Sequence, residues 1–320
     1  MNRKETRIEA LLRDIKSGRW TLTHFRSSTA NITVLCTNDD RKMVAKTYSR
    51  NTARFINHDI VKASISHLYT HGLAPSIVLS YDNGYIRNYV PGRALHHEDV
   101  HTHHQIIARK MREWHASNRS GVSHMFKNMM DWYWHAHVHH KELLEGHGVR
   151  DFMVEQEKRV RGLEVGFCHN NLLATNIIAL NSPPSKYDLV VSTDSEEDAS
   201  SAPVVSNVQF VDFVHSGVNY IAYDIANHFV GHIRYAFSTH EVPSEQFKRE
   251  FVQSYANDRF KVNCRTVDKL IEDVNLFIPV SHCFWGLWAL LMEHADGNDD
   301  DYVRYARHRL EMMNASNGRK

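Results

Sequence analysis

The feature that most constrains this 320-residue chain is a polar loop followed by two apolar runs of strand length. The loop Cys-His-Asn-Asn at 168–171 leads through Asn176 into Ile177-Ile178. After a polar insert, the second apolar run at 208–213 contains Asp212. Short apolar runs with β-branched residues favour strands. We therefore expect a strand pair in which Asn176 opens the first strand and Asp212 closes the second.

The spacing from His169 through Asn171 and Asn176 to Asp212 is typical of a phosphotransfer site. In an H-x-D-x-x-x-x-N loop followed by a strand-end Asp, one carboxylate accepts the substrate hydroxyl's proton while the Asn and the second Asp bind metal. We interpret His169, Asn171 and Asp212 as catalytic, with Asn176 and Asp212 on the metal. Here the proton-accepting position holds the amide of Asn171. Alternatively, His-Asn-Asn is a turn-forming cluster between ordinary buried runs.

Segments elsewhere in the chain reduce the weight of that alternative. They are S-G-V-N-Y-I-A-Y-D-I-A-N-H-F at 216–229, S-H-C-F-W-G-L-W-A-L at 281–290, Y-V-R-Y-A at 302–306, H-G-L-A-P at 71–75, N-G-Y at 83–85 and V-P-G-R-A-L at 90–95. With them the chain resembles the choline/ethanolamine kinase family, nearer its ethanolamine branch. The resemblance implies ATP- and Mg²⁺-dependent phosphorylation of ethanolamine or choline, and the sequence does not choose between these amines.

The resemblance also implies an α+β fold of the two-lobed protein-kinase-like type, as in aminoglycoside phosphotransferases and choline kinases. We expect a small β-rich N-terminal lobe at 1–90, on the nucleotide side. A larger, mainly helical lobe at 91–320 is expected to carry the catalytic loop and the amine site. Residues 181–207, rich in Ser, Pro and Asp, are interpreted as a flexible polar insert.

The nucleotide residues are expected in the first strands. A hairpin is predicted from 20–23 and 32–36, and its tip would cover the phosphates. Glycine is favoured in such a tip because backbone N–H groups approach the phosphates closely. This tip has none and offers Ser28 and Asn31 instead. Lys46 on the third strand is expected to bridge phosphates and to pair with Asp59 on the following helix, although a lone strand lysine is often only an edge charge.

The substrate residues implied by the resemblance are Asp224, Asn227, Trp285 and Trp288. Asp224 opens a helix, so it is either an ordinary cap or the anchor of the catalytic loop or of the substrate amine or hydroxyl. Trp285 and Trp288, three residues apart, are expected to wall an amine pocket through cation–π attraction. Two tryptophans at helical spacing are also a common feature of a core.

Three carboxylates that the resemblance implies are absent. The base position is Asn171, the metal-side position is Val214 and the amine-side position is Gly231. A neutral amide does not take a proton at pH 7, and a positioned general base contributes roughly 10²–10⁴-fold in rate. Two functions therefore stay open: a slow ethanolamine or choline kinase, and an inactive pseudokinase that binds or regulates, as a homodimer or paired with an active paralogue.

Composition limits the other classes of function. Lys plus Arg number 38 against 37 for Asp plus Glu, which argues against nucleic acid as a partner. The four cysteines have no C-x-x-C spacing and the N-terminus has no apolar run, so we expect a reduced, cytoplasmic protein. No segment is expected to reach the roughly 18 apolar residues of a membrane span. The histidines at 135, 137, 139 and 140 are interpreted as a solvated helix face rather than a metal site.

Overall fold

The computed structural model describes residues 3–25, 31–48, 56–180, 205–231, 243–256, 264–296 and 300–318. They form two compact units. Unit 1 is Met1–His96 with Thr175–Val214, and unit 2 is His97–Ala174 with His215–Lys320. The first division thus falls at residue 96 instead of near 90, and the two strands that flank the polar insert group with the N-terminal unit.

The described helices and strands alternate in a mixed α+β order. From the N-terminal end to the second strand of the pair flanking the insert they are α1 (Arg3–Ile15), β1 (Thr21–His24), β2 (Asn31–Thr37), β3 (Lys42–Tyr48), α2 (His58–Thr70), β4 (Ile77–Tyr81), β5 (Gly84–Asn88), β6 (Gly92–Ala94), α3 (His97–Ser117), α4 (Met125–Gly146), α5 (Val149–Arg159), β7 (Val165–Cys168), β8 (Ile177–Leu180) and β9 (Val208–Phe210). The remainder are β10 (Gly217–Tyr220), α6 (Ile221–Val230), α7 (Glu245–Ala256), α8 (Cys264–Asp296) and α9 (Asp300–Ser316).

Unit 1 contains a five-stranded antiparallel sheet in the order β1-β2-β3-β5-β4. One face forms an apolar core with α1, in which Met43, Ala45 and Ile86 pack with Ile8 and Leu12. The expected β1–β2 hairpin is confirmed. Because side chains alternate along a strand, the opposite face of β3 carries Val44, Lys46 and Tyr48.

A second, three-stranded sheet in unit 1 has the order β6-β8-β9. Strands β8 and β9 are antiparallel, with Ile177 opposite Phe210. The backbone N–H of Leu180 donates to the Asn207 carbonyl at 3.0 Å, at the end of the pair next to the insert. The strand pair predicted from the apolar runs is therefore confirmed, and Asp212 follows its second strand. Residues 181–204 of the predicted insert lie outside the described part.

Unit 2 is mainly helical, with β7 and β10 forming an antiparallel pair. Its centre is α6, which is buried at every position from Ile221 to Val230. A helix that is apolar on all sides belongs in a core. The polar residues within α6, above all Asp224 and Asn227, therefore need partners inside the protein.

The expectation that no segment is long and apolar enough to span a membrane was wrong. Within α8, Thr266–His294 passes by length and composition. However, 83% of its most apolar window is buried inside the fold, which is the behaviour of a core helix. Length and composition alone are thus weak evidence for a span here.

Candidate active site

Asp212 and Lys46 form an ion pair in unit 1. The pair joins residues 166 positions apart in sequence, one on β3 and the other just after β9. The backbone N–H of Val211 donates to the Asn176 carbonyl at 2.9 Å, so Asn176 and Asp212 are held in the same strand pair. Asp212 has a left-handed backbone with φ of 69°. Non-glycine residues in that region are uncommon and concentrate at functional sites.

The face around Lys46 is buried and polar. Tyr85 lies opposite Lys46 and Arg87 lies opposite Val44 in the β3–β5 register. Burial raises the pKa of the Tyr48 and Tyr85 hydroxyls far above their usual value. Burial also lowers the pKa of Arg87, although Tyr85 and Asp212 act in the opposite direction. Nothing in the sequence pattern had singled out Arg87.

The expected pair between Lys46 and Asp59 is not formed. Asp59 lies in the first turn of α2 with its side chain 92% exposed, and it pairs with Lys62 at 3.0 Å. The helix start is instead capped by Asn57, which accepts from the backbone N–H groups of Asp59 and Ile60. An aspartate in the exposed first turn of a helix interacts favourably with the helix dipole. Lys46 is buried and already pairs with Asp212.

Two further nucleotide candidates are only partly located. Ser28, at the hairpin tip, lies outside the described residues. The backbone of Asn31 begins β2 opposite Tyr48. Their role at the phosphates therefore stays a prediction.

In unit 2, the catalytic loop is anchored by Asp224. Its two carboxylate oxygens accept from the backbone N–H groups of His169 at 2.8 Å and Asn170 at 2.7 Å. One of them also bonds Nε2 of His115 at 3.0 Å, whose Nδ1 bonds the Tyr255 hydroxyl at 2.8 Å. Burial alone raises the pKa of Asp224, but the hydrogen bond and charge of His115, with His169, outweigh it and hold that pKa below its usual value. Asp224 is therefore a carboxylate at neutral pH.

Asn170 is the point where the loop turns. Its φ is 61°, in the left-handed region that asparagine tolerates better than most residues. The Asn170 amide donates to the His215 carbonyl at 2.8 Å and its oxygen accepts from Asn219 at 2.8 Å. The Asn170 carbonyl accepts from Nδ2 of Asn227 at 3.0 Å. This dense bonding holds a strained backbone in one conformation, and sequence reasoning missed it although Asn170 stands inside the motif.

Asn171 follows this turn and is 7% exposed. Its backbone N–H donates to Nδ1 of His169 at 3.3 Å, and its carbonyl accepts from the Leu173 N–H at 2.9 Å. The ring of His169 lies 5.1 Å from that of Trp114, centroid to centroid. The His169 side chain thus supports the loop through this hydrogen bond and this ring contact.

The surroundings of Asp224 and Asn227 favour a role in anchoring the catalytic loop, and the substrate role expected for them stays a prediction. Each is 1% exposed. The oxygen of Asn227 accepts from the Ser281 hydroxyl at 2.9 Å and from Nε1 of Trp285 at 2.6 Å. These hydrogen bonds within the fold satisfy the polar groups that burial would otherwise leave unpaired. The cap interpretation of Asp224 was wrong, because no side chain caps the start of α6.

The two tryptophans expected to wall an amine pocket differ in burial and in contacts. Trp285 is 7% exposed and uses its N–H on Asn227, so it supports the loop. Trp288 is only half-buried, with its ring 5.5 Å from Trp285 and 6.1 Å from Tyr302, both nearly edge-on. A partly exposed indole between aromatic neighbours suits a cationic amine.

Val214 and Gly231 stand where the resemblance implies acids, and they differ in the space available for a larger side chain. Val214, in unit 1, is half-buried. Gly231 follows α6, and a Cβ added there would lie 3.0 Å from Cδ2 of Leu173. A side chain at 231 therefore requires Leu173 to move.

The donors present in unit 1 fit a magnesium ion. Asp212 offers a carboxylate that is 33% exposed, and Asn176 offers an amide oxygen. Magnesium prefers oxygen ligands and usually takes only one or two from protein. Another described group, His115, Cys168 and Asp224, brings its donor atoms within 4.8 Å of one another. There, the carboxylate and imidazole are committed to the loop and Tyr255, and burial raises the pKa of the Cys168 thiol.

The histidines of α4 are partly paired with acids. His137 bonds Glu145 at 3.0 Å and His140 bonds Glu293 at 3.2 Å. His135 and His139 are exposed, and the ring of His139 stacks on His294.

Comparisons with known proteins found a family model, curated relatives and solved structures that are similar to this chain. The choline/ethanolamine kinase model matches residues 21–314. A probable choline kinase 1 of Arabidopsis thaliana is 25% identical, covering 85% of this chain and 77% of that protein. Ethanolamine kinase 2 of Homo sapiens is 27% identical, covering 82% and 67%. An ethanolamine kinase structure from Plasmodium vivax matches with a TM-score of 0.77 and 21% identity, covering 98% and 89%.

Proposed function

The chain belongs to the choline/ethanolamine kinase family, and we propose that it phosphorylates ethanolamine or choline with ATP, at a rate limited by the missing base at Asn171. The observation that carries this proposal is the loop at His169 and Asn170, which Asp224 holds by two short hydrogen bonds. Burying a carboxylate is energetically costly. Its presence next to this loop therefore supports the view that holding the loop in position matters for function.

Unit 1 supplies the groups for the nucleotide and the metal. Lys46 is a buried ammonium suited to phosphate oxygens, and Asp212 with Asn176 would hold Mg²⁺. When bound, Mg²⁺ neutralises phosphate charge. Ser28 and Asn31 are proposed to complete the phosphate contacts.

Unit 2 supplies the acceptor side. Asp224, Asn227 and Trp285 hold the loop, and Trp288 with Tyr302 is proposed to receive the amine through cation–π attraction. Asn171 is proposed to accept a hydrogen bond from the substrate hydroxyl through its amide oxygen, and this bond would orient the nucleophile. It does not accept the proton, so the hydroxyl remains a weak nucleophile.

A second function is favoured by the three missing acids. Asn171, Val214 and Gly231 together remove the base, a metal-side charge and an amine-side charge. We infer that a pseudokinase with the same fold would bind nucleotide or amine without transfer, alone, as a homodimer or with an active paralogue. The described cysteines 36, 168 and 283 are free and buried, which supports the proposed cytoplasmic location.

The experiment that separates the two functions measures ADP release by a coupled assay and phosphoethanolamine or phosphocholine by mass spectrometry. We expect product that requires Mg²⁺, at a turnover below the ~1–100 s⁻¹ of ordinary kinases. Turnover within that ordinary range means that another group takes the proton. Absence of product with both amines, despite nucleotide binding, supports the pseudokinase.

A further inference from the structure

The sheet face that carries Lys46 also carries a second buried cation, which the phosphotransfer pattern does not explain. Arg87 lies opposite Val44, and Tyr85 lies opposite Lys46. Directly paired residues of antiparallel strands share a face, as do residues two apart in one strand. Lys46 and Arg87 therefore lie on the same face of neighbouring strands.

The charges on this face do not balance. Lys46 is 7% exposed and Arg87 is 9% exposed. Asp212 pairs with Lys46 and is also the acidic group that acts electrostatically on Arg87. The guanidinium also donates from Nη1 to the Asn88 carbonyl at 3.0 Å. Two cations thus share one carboxylate in the described part of unit 1, where buried charge is costly unless paired.

We propose that Arg87 is a second phosphate ligand, which together with Lys46 binds ATP without requiring a divalent cation. The inference rests on the proposed function in taking the nucleotide as the ligand. A guanidinium presents a planar fork of N–H donors that matches phosphate oxygens. The phosphate charge balances the excess cation. The Asp212 side chain, which pairs with Lys46, is 33% exposed and is therefore in contact with solvent.

The same arrangement of Lys46, Arg87 and Asp212 makes ATP binding less dependent on a metal ion. Lys46 and Arg87 repel a cation at Asp212, because like charges in a poorly solvated site interact strongly. They also neutralise phosphate charge that would otherwise need Mg²⁺. The predicted hairpin tip has no glycine, so weaker backbone contacts to the phosphates are expected from it. Arg87, on β5, compensates for them as a second cation.

Isothermal titration of ATP in excess EDTA, and again with Mg²⁺, tests the proposal on the whole chain. The variants are Arg87→Met and Arg87→Lys, with Arg41→Met as a control because Arg41 is exposed between β2 and β3. Wild type is expected to bind ATP in EDTA. Arg87→Met should weaken that binding by about tenfold or more, since a charged hydrogen bond is lost. Arg87→Lys should fall between, and Arg41→Met should match wild type.

The proposal is overturned if wild type binds ATP only with Mg²⁺, or if Arg87→Met binds ATP in EDTA as wild type does. Circular dichroism verifies that each variant is folded. Should Arg87→Met not fold, Arg87→Lys decides, because wild-type affinity in EDTA would then contradict a role for the guanidinium fork. Failure of the proposed function looks different: ATP binding depends on Arg87, yet neither amine is phosphorylated.

Discussion

The carboxylate of Asp224 lies 2.7 Å from the backbone nitrogen of Asn170, a residue held in the left-handed region of backbone space. The acid is buried within α6 and takes no part in capping that helix. It therefore couples the central helix of unit 2 to the loop that carries Asn171.

Asp224→Asn should destabilise unit 2 by about 3 kcal/mol or more, because it removes one partner from a buried charged network. The new amide also points an N–H donor at backbone N–H groups. Urea unfolding followed by circular dichroism measures the loss. Asp301→Asn is the control, since Asp301 is 73% exposed in a surface pair with Arg304; its effect should stay within about 0.5 kcal/mol. Equal effects of the two changes would contradict the anchoring role.

Stability should fall between pH 7.5 and 5.5 because of buried neutral histidines. Burial lowers the pKa of His282 well below, and that of His228 below, the ordinary 6.5. The unfolded chain then binds protons near pH 6.5 that the folded chain does not, so folding loses stability as pH drops below that value. A histidine that stays neutral in the folded protein down to pH 5.5 lowers the free energy of unfolding at that pH by about 1.4 kcal/mol.

The variant His282→Leu isolates one of these groups. Neither ring nitrogen of His282 has a hydrogen-bond partner among the described residues. The loss of unfolding free energy between the two pH values should therefore shrink by about 1.4 kcal/mol in the variant. An unchanged pH dependence would mean that His282 titrates alike in both states. His135→Leu, on an exposed position of α4, serves as the control and should leave the pH dependence as in wild type.

Asn171→Asp should raise turnover with ethanolamine by up to about 10²–10⁴-fold, since it restores a proton acceptor. The same change in an Asp212→Ala background should give no gain, because the metal that the transfer requires would no longer be held. The rates come from coupled ADP release with mass spectrometry of the product. If Asn171→Asp leaves turnover unchanged, proton transfer is not what limits this protein.

The triple change Asn171→Asp, Val214→Glu and Gly231→Glu should exceed the single change by more than about tenfold in kcat/KM for ethanolamine. The added acids supply charge for the metal and for the amine. At 231 the gain is reduced by the displacement of Leu173, whose Cδ2 lies 3.0 Å from an added Cβ. Comparison with the double variant that keeps Gly231 measures that cost, and a triple variant no better than Asn171→Asp would contradict the roles given to both acids.

Replacing residues 182–204 by a short Gly-Ser bridge should leave the melting temperature within a few degrees. Loop closure costs only ~0.6 kcal/mol per doubling of loop length, and the flanking strands already meet through the Leu180 to Asn207 bond. Val205 is kept because it is 3% exposed. Differential scanning calorimetry measures the shift, and loss of folded protein would show that the segment packs.

Much of unit 1 could be predicted from local patterns. The β1–β2 hairpin and the position of Asp212 after β9 follow from apolar alternation and short apolar runs. The pairing of Lys46 could not be predicted, because Asp59 is close in sequence while Asp212 is 166 residues away. Periodicity tells which face a residue occupies, and it does not tell what the rest of the chain places opposite that face.

The sequence by itself determined the family, the two-part α+β architecture and the amide at Asn171, since each depends on residue identity and spacing alone. The tertiary structure decided which polar residues are available to a ligand. Asp224 and Asn227 hold the loop, whereas Trp288 stays partly exposed and Arg87 lies with Lys46 on one sheet face. Burial and hydrogen-bond saturation set these roles, and both arise from contacts between segments that are distant in the chain.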